Sequence, residues 1–152
     1  FRRVLFRSIA GATAAVQRAG ERAKALGARR VIPLSVSAPF HCALLKPAEE
    51  RLEPELRALT VQAPRVPVVA NVDAEPKRDA ASAIDALVRQ VSAPVRWEEV
   101  VQRLASEGVT TYVEVGTGTV LGGLVKKIHK DARIFNMGVP ADLAALEGLA
   151  TR

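Results

Sequence analysis

The chain has 152 residues, of which 49% are hydrophobic and 25% are charged, and its mean hydropathy is +0.11. This balance is typical of one folded domain and excludes a collagen-like or intrinsically disordered chain. Apolar runs are short and fall far below the roughly 20 residues that a membrane span needs, so we expect a cytoplasmic protein that does not enter the membrane. The single cysteine, Cys42, agrees, because one thiol cannot form an internal disulfide.

The net charge of +6 is concentrated near the amino terminus. Residues 1–30 carry eight basic side chains and one acidic side chain, whereas the rest of the chain is close to neutral. Nucleic-acid-binding proteins usually spread positive charge along one face and interleave it with aromatic residues, which make up only 4% of this chain. We therefore expect no binding to nucleic acid.

The first half of the chain predicts two helices and one strand. Residues 1–8, FRRVLFRS, have a basic and apolar texture unlike the rest, so we expect a non-native leader; the alternative is a short native strand. Apolar residues at 3.6-residue spacing then predict a helix that ends at Gly27, and a strand follows at Val31–Val36. A second amphipathic helix has Pro47 in its first turn and carries Leu45, Ala48, Leu52, Leu56 and Leu59.

The second half continues the alternation of strand and helix. The β-branched run Val66–Val72 predicts a buried strand, and helices are predicted at Asp79–Val91 and from Trp97 to Gly108. The remaining predictions are a strand at Thr111–Val115, a helix at Val120–Ile128, a strand at Arg133–Asn136 and a helix at Ala141–Leu149. This order predicts an α/β fold with a largely parallel sheet.

Polar residues that follow predicted strands are the candidates for chemistry. His41 stands where a general base could act, although a histidine that packs at a helix start is the more common case. Gly116-Thr117-Gly118 suggests a phosphate-binding turn, but Leu121 occupies the place of the third glycine of a dinucleotide fingerprint, so a packing turn is favoured. Two histidines and one cysteine give no metal-ligand spacing, and no serine lies in a Gly-x-Ser-x-Gly motif. We expect no metal site.

Five blocks of sequence stand out together: SAPFHCALLKP at 37–47, AP at 63–64 with PVVANV at 67–72, LVRQ at 87–90, PVRW at 94–97 and EVGTG at 114–118. In this order and spacing they resemble the malonyl-CoA:acyl carrier protein transacylase family, from about Ile9 to the end of the chain. The resemblance covers the later half of the family sequence. It implies an α/β-hydrolase-like acyltransferase domain with an inserted ferredoxin-like subdomain, of which 9–36 is the end and 37–152 is the C-terminal part of the large domain.

The resemblance implies malonyl transfer from coenzyme A to the phosphopantetheine thiol of acyl carrier protein, through a serine ester, in fatty acid biosynthesis. His41 matches the catalytic histidine, and Gln90 matches the residue whose backbone carbonyl orients it. Pro94 ends the helix soon after Gln90, so this carbonyl is among the last four that lack an intrahelical partner and can accept an imidazole N–H. Phe40 matches a bulky aromatic residue that accompanies malonyl rather than methylmalonyl substrates.

The chain also departs from the family pattern. The family's nucleophilic serine, its oxyanion segment and the arginine that binds the malonyl carboxylate have no counterpart in these 152 residues, so the resemblance implies a fragment that is inactive by itself. Thr117 replaces the proline usual in the Gly-Pro-Gly turn. The implied partners are malonyl-CoA, as a thioester substrate rather than a cofactor, and acyl carrier protein, with a monomeric full-length enzyme. The alternatives are an acyltransferase region of a multidomain fatty-acid or polyketide synthase and a non-catalytic α/β binding module.

Overall fold

The computed structural model describes residues 8–146. The chain divides into two compact units, an amino-terminal unit that ends at Arg96 and a carboxy-terminal unit that begins at Trp97. Both units contain helices and strands, which confirms the predicted α/β class. Apart from Ser8, the expected leader lies outside the described residues. The predicted domain boundary at residue 36 refers to the larger fold of the family and stays a prediction.

The amino-terminal unit contains three α-helices that the sequence predicts: α1 (Thr13–Ala25), α2 (Lys46–Ala58) and α3 (Ala80–Gln90). The chain leaves α1 through Gly27, whose φ of +93° is a conformation that glycine adopts without strain. Pro47 lies in the first turn of α2, where a missing N–H costs no helical hydrogen bond. Asp79 caps α3, because its Oδ1 accepts the Ser82 N–H at 2.8 Å.

Both strand predictions in this unit are wrong in part or in full. Val31–Val36 forms no strand, its alternate apolar side chains are exposed, and Pro33 has no N–H to donate. Within Val66–Val72 the strand is only β1 (Val68–Val69), which pairs antiparallel with β2 (Pro76–Lys77) and is not buried. β-branched composition favours a strand, but a strand also needs a partner, and the described part of the chain supplies none for the first segment.

The carboxy-terminal unit contains α4 (Trp97–Ser106), β3 (Thr111–Val115), α5 (Val120–Ile128), β4 (Arg133–Met137) and a 3₁₀ helix at Pro140–Ala145. β3 and β4 pair in parallel and α5 connects them, so these elements form a βαβ unit. The parallel pairing and the bounds of β3 and α5 are as the sequence predicts. The helix predicted at Ala141–Leu149 is wrong in type, because its described part is 3₁₀, and residues 147–149 lie outside the described range.

The core of the carboxy-terminal unit lies between the helices and one face of the β3–β4 sheet. Val101, Val125 and Ala132 are its buried centre, and the half-buried side chains packed around them are Trp97, Tyr112, Ile128 and Ile134. Gly122 brings α5 close to the strands: a Cβ at this position would lie 2.8 Å from Ile134 Cγ2. The sheet's other face carries Val113 and Val115, which are exposed.

Candidate active site

His41 lies in the irregular segment that leads into α2. Its backbone adopts a left-handed conformation with φ of 59°, which is uncommon for a residue with a side chain. A 3₁₀ turn at Ala43–Leu45 follows and continues directly into α2. The imidazole is exposed and has no hydrogen-bond partner among residues 8–146. His41 therefore lies just before α2, and neither ring nitrogen is used in a hydrogen bond within the described residues.

Gln90 is the last residue of α3, and its backbone carbonyl has no helical partner. The residue four positions further is Pro94, which lacks an N–H, so the regular helical hydrogen bond to this carbonyl is not possible. The side-chain nitrogen is occupied elsewhere: Nε2 donates to the Ala93 and Pro94 carbonyls at 3.0 and 3.4 Å, while Oε1 is buried and has no partner in the described chain. These two bonds fix the turn that follows α3 and leave the backbone carbonyl at the open, negative end of the helix.

Two polar contacts show how α2 and α3 are paired. Near the start of α2, Glu49 accepts a short hydrogen bond from Ser92 Oγ, just after the end of α3. Near the end of α2, Arg57 lies 3.7 Å from Asp85, close to the middle of α3. The helices are therefore antiparallel, and the start of α2 lies beside the end of α3.

This pairing brings the two predicted catalytic residues to the same end of one helix pair. His41 precedes α2 at that end, and Gln90 closes α3 there. No hydrogen bond joins the two residues in the described chain, so the orienting role of the Gln90 carbonyl stays a prediction. A catalytic histidine is oriented by an acceptor on the ring nitrogen that does not face the substrate, and a carbonyl without a helical partner is an acceptor of the kind this role needs.

The buried carboxylate of Glu49 is a feature that sequence reasoning missed. It is 4% exposed, and it accepts from Lys46 Nζ as well as from Ser92 Oγ. The hydrogen bonds from Lys46 and Ser92 hold the pKa of Glu49 below its ordinary value although burial acts in the opposite direction. A signal was present in the sequence, because Glu49 is a charged residue within the apolar stripe formed by Leu45, Leu52 and Leu56.

Asp73 connects the end of α3 to the hairpin formed by β1 and β2. It lies in the turn between β1 and β2, and its Oδ2 accepts from Lys77 Nζ and from Arg89 Nη2, each at 2.8 Å. Burial raises the pKa of Asp73, but the hydrogen bonds from Lys77 and Arg89 outweigh it and lower the pKa to about 2. Because Arg89 immediately precedes Gln90, this ion pair fixes the last turn of α3 to the hairpin.

The residues on either side of His41 differ in their surroundings. Phe40 directly precedes His41 and is 48% exposed, so it lies at the surface. Cys42 is half-buried, and its thiol donates to the Pro39 carbonyl at 3.1 Å. The thiol is thus directed back towards its own loop, as expected of a cysteine that packs there.

The glycine turn in the carboxy-terminal unit is not a free phosphate cradle. Oε1 and Oε2 of Glu114 accept the backbone N–H groups of Leu121 and Gly122, at 3.0 and 2.6 Å, in the first turn of α5. These are the groups that a bound phosphate would use, and a carboxylate already occupies them. The interpretation as a packing turn is therefore favoured by the contacts, and Glu114 takes the place of a cap residue at Thr119.

Within residues 8–146, no three His, Cys, Asp or Glu side chains converge as a metal site requires. No helix in that range is both long and apolar enough to cross a membrane.

No family model matches the chain, but sequence and structure relatives do, and these relatives are acyltransferases. The chain is related to the malonyl CoA-acyl carrier protein transacylases. It is 50% identical over 137 residues to the enzyme of Salmonella typhimurium, a match that spans 90% of this chain and 44% of the relative. The crystal structure of the acyl-carrier-protein S-malonyltransferase from Burkholderia pseudomallei matches with a TM-score of 0.82 at 47% identity, over 88% of this chain and 43% of that one.

A third relative includes a bound partner. It is a malonyl-transacylase (PlMCAT) in complex with its type II PKS acyl-carrier protein (AntF), with a TM-score of 0.82 at 42% identity, over 88% of this chain and 43% of that one. The predicted resemblance is confirmed. The chain spans about 44% of the length of the curated relatives it matches.

Proposed function

We propose that this chain provides the general base of a malonyl-CoA:acyl carrier protein transacylase. The observation that carries the proposal is the antiparallel pairing of α2 and α3, which puts His41 and the partnerless carbonyl of Gln90 at the same end of a helix pair. The similarity to transacylases over about nine-tenths of the chain supports the same reaction.

In the proposed reaction a serine oxygen attacks the malonyl thioester carbonyl. His41 takes the serine proton as the new C–O bond forms, and it returns that proton to the coenzyme A sulfur as the C–S bond breaks. The phosphopantetheine thiol of acyl carrier protein then attacks the malonyl ester, and His41 moves the proton from that thiol back to the serine oxygen. In this proposal the serine and the group that binds the malonyl carboxylate come from outside these 152 residues.

The Gln90 carbonyl has a defined task in this scheme. It accepts the N–H of the imidazole nitrogen that does not face the serine, and so fixes the tautomer in which the other nitrogen is basic. When the imidazolium forms, the negative end of α3 stabilises it. A neutral carbonyl at a helix end thus replaces the aspartate of a hydrolase triad.

The proposal extends to substrates and setting. Coenzyme A enters as part of the thioester substrate and leaves as the free thiol, so the proposed reaction needs no separate cofactor. The acceptor is an acyl carrier protein, the complete enzyme acts as a monomer, and the reaction takes place in the cytoplasm. The complex of a related transacylase with its carrier protein supports this choice of acceptor.

The proposal is tested in a fusion of two protein portions, called the joined protein below. The portion of the Salmonella typhimurium transacylase that this chain does not match is fused to residues 9–152, and malonyl transfer to holo acyl carrier protein is measured by mass spectrometry. We expect transfer by the joined protein, a loss of about 10²- to 10⁴-fold in its His41→Ala variant, and none with the 152-residue chain alone. A folded joined protein that transfers no malonyl, or one indifferent to His41→Ala, would overturn the proposal.

The backbone role of Gln90 has its own test in the same protein. Gln90→Ala keeps the carbonyl, so we expect a much smaller loss of kcat than for His41→Ala. If the two variants are equally impaired, with melting temperatures unchanged, the Gln90 side chain is required and the role assigned to the carbonyl alone is wrong.

A further inference from the structure

Glu49 is unusual because a buried charge is expensive unless its partners are in place. It is the one charged residue of the described chain that is buried, and both carboxylate oxygens are used. Lys46, on its own helix, neutralises it. Ser92, 43 residues away in sequence, is the partner that connects it to another element.

The Glu49–Ser92 hydrogen bond lies at the end of the helix pair that carries the proposed site. Glu49 is in the first turn of α2, which the 3₁₀ turn after His41 joins without interruption. Ser92 follows Gln90 by two residues, in the turn that Gln90 Nε2 holds through Ala93 and Pro94. One buried contact therefore connects the segment of the base to the segment of its carbonyl acceptor.

The other end of the helix pair offers a matched comparison. There Arg57 and Asp85 form an ion pair at 3.7 Å, with about half of each side chain exposed. An exposed pair of this kind contributes little to stability and fixes little, because water competes for both groups. One contact joins α2 to α3 and the other joins α2 to the turn after α3, but only the buried one lies beside the proposed site.

We propose that Glu49 and Ser92 are positioning residues that set the separation between His41 and the Gln90 carbonyl. The inference deepens the proposed function and rests on it for its catalytic consequence. The carboxylate does not touch substrate; it acts through the turn after α3 and the first turn of α2. Loss of the Ser92 hydroxyl frees the two segments to move apart, and a displacement of about 1 Å is enough to lower a catalytic rate up to about 10²-fold.

The geometric part is tested without activity on the 152-residue chain, at a concentration at which sedimentation velocity shows a monomer. A nitroxide label on Cys42, the single cysteine, broadens the NMR amide signals of residues close to the His41 segment. We expect broadening of residues 90–93 in the otherwise unchanged chain, weaker broadening in Ser92→Ala and Glu49→Gln, and full broadening in the control Arg57→Gln. Absence of broadening in the unchanged chain, or an equal decrease in Arg57→Gln, would overturn the inference.

The catalytic part is tested in the joined protein. We expect Ser92→Ala to lower kcat about tenfold or more with little change in KM, because the base is misplaced while the substrate site is intact. Ser92→Thr keeps a hydroxyl and restores kcat, and Arg57→Gln leaves it unchanged. An unchanged kcat in Ser92→Ala, or an equal loss in Arg57→Gln, counts against the positioning role. If the unaltered joined protein transfers no malonyl, the proposed function fails, and the label experiment still decides the geometry.

Discussion

Asp73 shows how one carboxylate links pH to the stability of the site. Its pKa of about 2 in the folded chain lies below the ordinary value of 3.8, since the hydrogen bonds from Lys77 and Arg89 outweigh burial. A pKa that is lower in the folded than in the unfolded chain stabilises the fold at pH values above the unfolded pKa, by about 2 kcal/mol for this shift. This contribution is lost as the pH falls from about 4 towards 2. We expect Asp73→Asn to lower the free energy of unfolding by about that amount at pH 7, measured by urea denaturation.

The pH series supplies the decisive comparison for Asp73. The difference between the unchanged chain and Asp73→Asn should narrow as the pH falls below about 4, because the unchanged chain then loses the same contribution. Asp131→Asn is the control, since Asp131 is an exposed aspartate, and its effect should be small at every pH. A difference for Asp73→Asn that stays constant down to pH 3 would show that charge is not what Asp73 contributes.

Phe40 makes a second prediction at the scale of one residue. Its ring is large, lies next to His41 and is 48% exposed, so it can limit the size of the acyl group without a role in packing. We expect Phe40→Ala in the joined protein to raise kcat/KM for methylmalonyl-CoA relative to malonyl-CoA by about tenfold, the lower range for exclusion of one methyl group. Leu52→Ala removes a comparably exposed apolar side chain from α2 and should leave the ratio unchanged. An unchanged ratio in Phe40→Ala would remove Phe40 from the specificity site.

Two adjacent glycines in α5 separate close packing from helix propensity. A Cβ at Gly122 would lie 2.8 Å from Ile134 Cγ2 and 3.2 Å from Glu114 Oε2, whereas a Cβ at Gly123 meets no atom within 4 Å. We expect Gly122→Ala to destabilise the carboxy-terminal unit by about 1 to 3 kcal/mol. Gly123→Ala should stabilise it by up to about 1 kcal/mol, because alanine is the better helix former. Thermal unfolding of both variants measures this, and two changes of the same sign would contradict it.

The sequence predicts well those elements whose formation depends mainly on the residues within the element itself. β3 and α5 have the predicted bounds, because alternation and 3.6-residue spacing are properties of each segment alone. Val31–Val36 and most of Val66–Val72 are not strands, because pairing depends on residues far away in the chain. The same distinction holds at the site.

The part of the candidate site that could be predicted is the part formed by residues of sequence motifs. His41 and Gln90 follow from the resemblance, and the missing N–H of Pro94 can be read directly from the sequence. The contact between Glu49 and Ser92 could not be predicted, since nothing local relates two polar residues 43 positions apart. A glutamate within an apolar stripe is visible in the sequence, but only the structure identifies Ser92 as its partner.

At the scale of the whole molecule, the exposed face of the β3–β4 sheet governs how the chain behaves alone. Val113 and Val115 point away from the core, Val115 is 68% exposed, and both strands have an unpaired edge within the described residues. Apolar side chains beside open strand edges favour pairing with another chain. We expect the isolated chain to self-associate and Val115→Lys to reduce this in sedimentation velocity, because a charge on the sheet face opposes stacking. Val120→Lys makes the same change at an equally exposed valine on α5, and an equal effect there would assign the association to net charge and not to the sheet face.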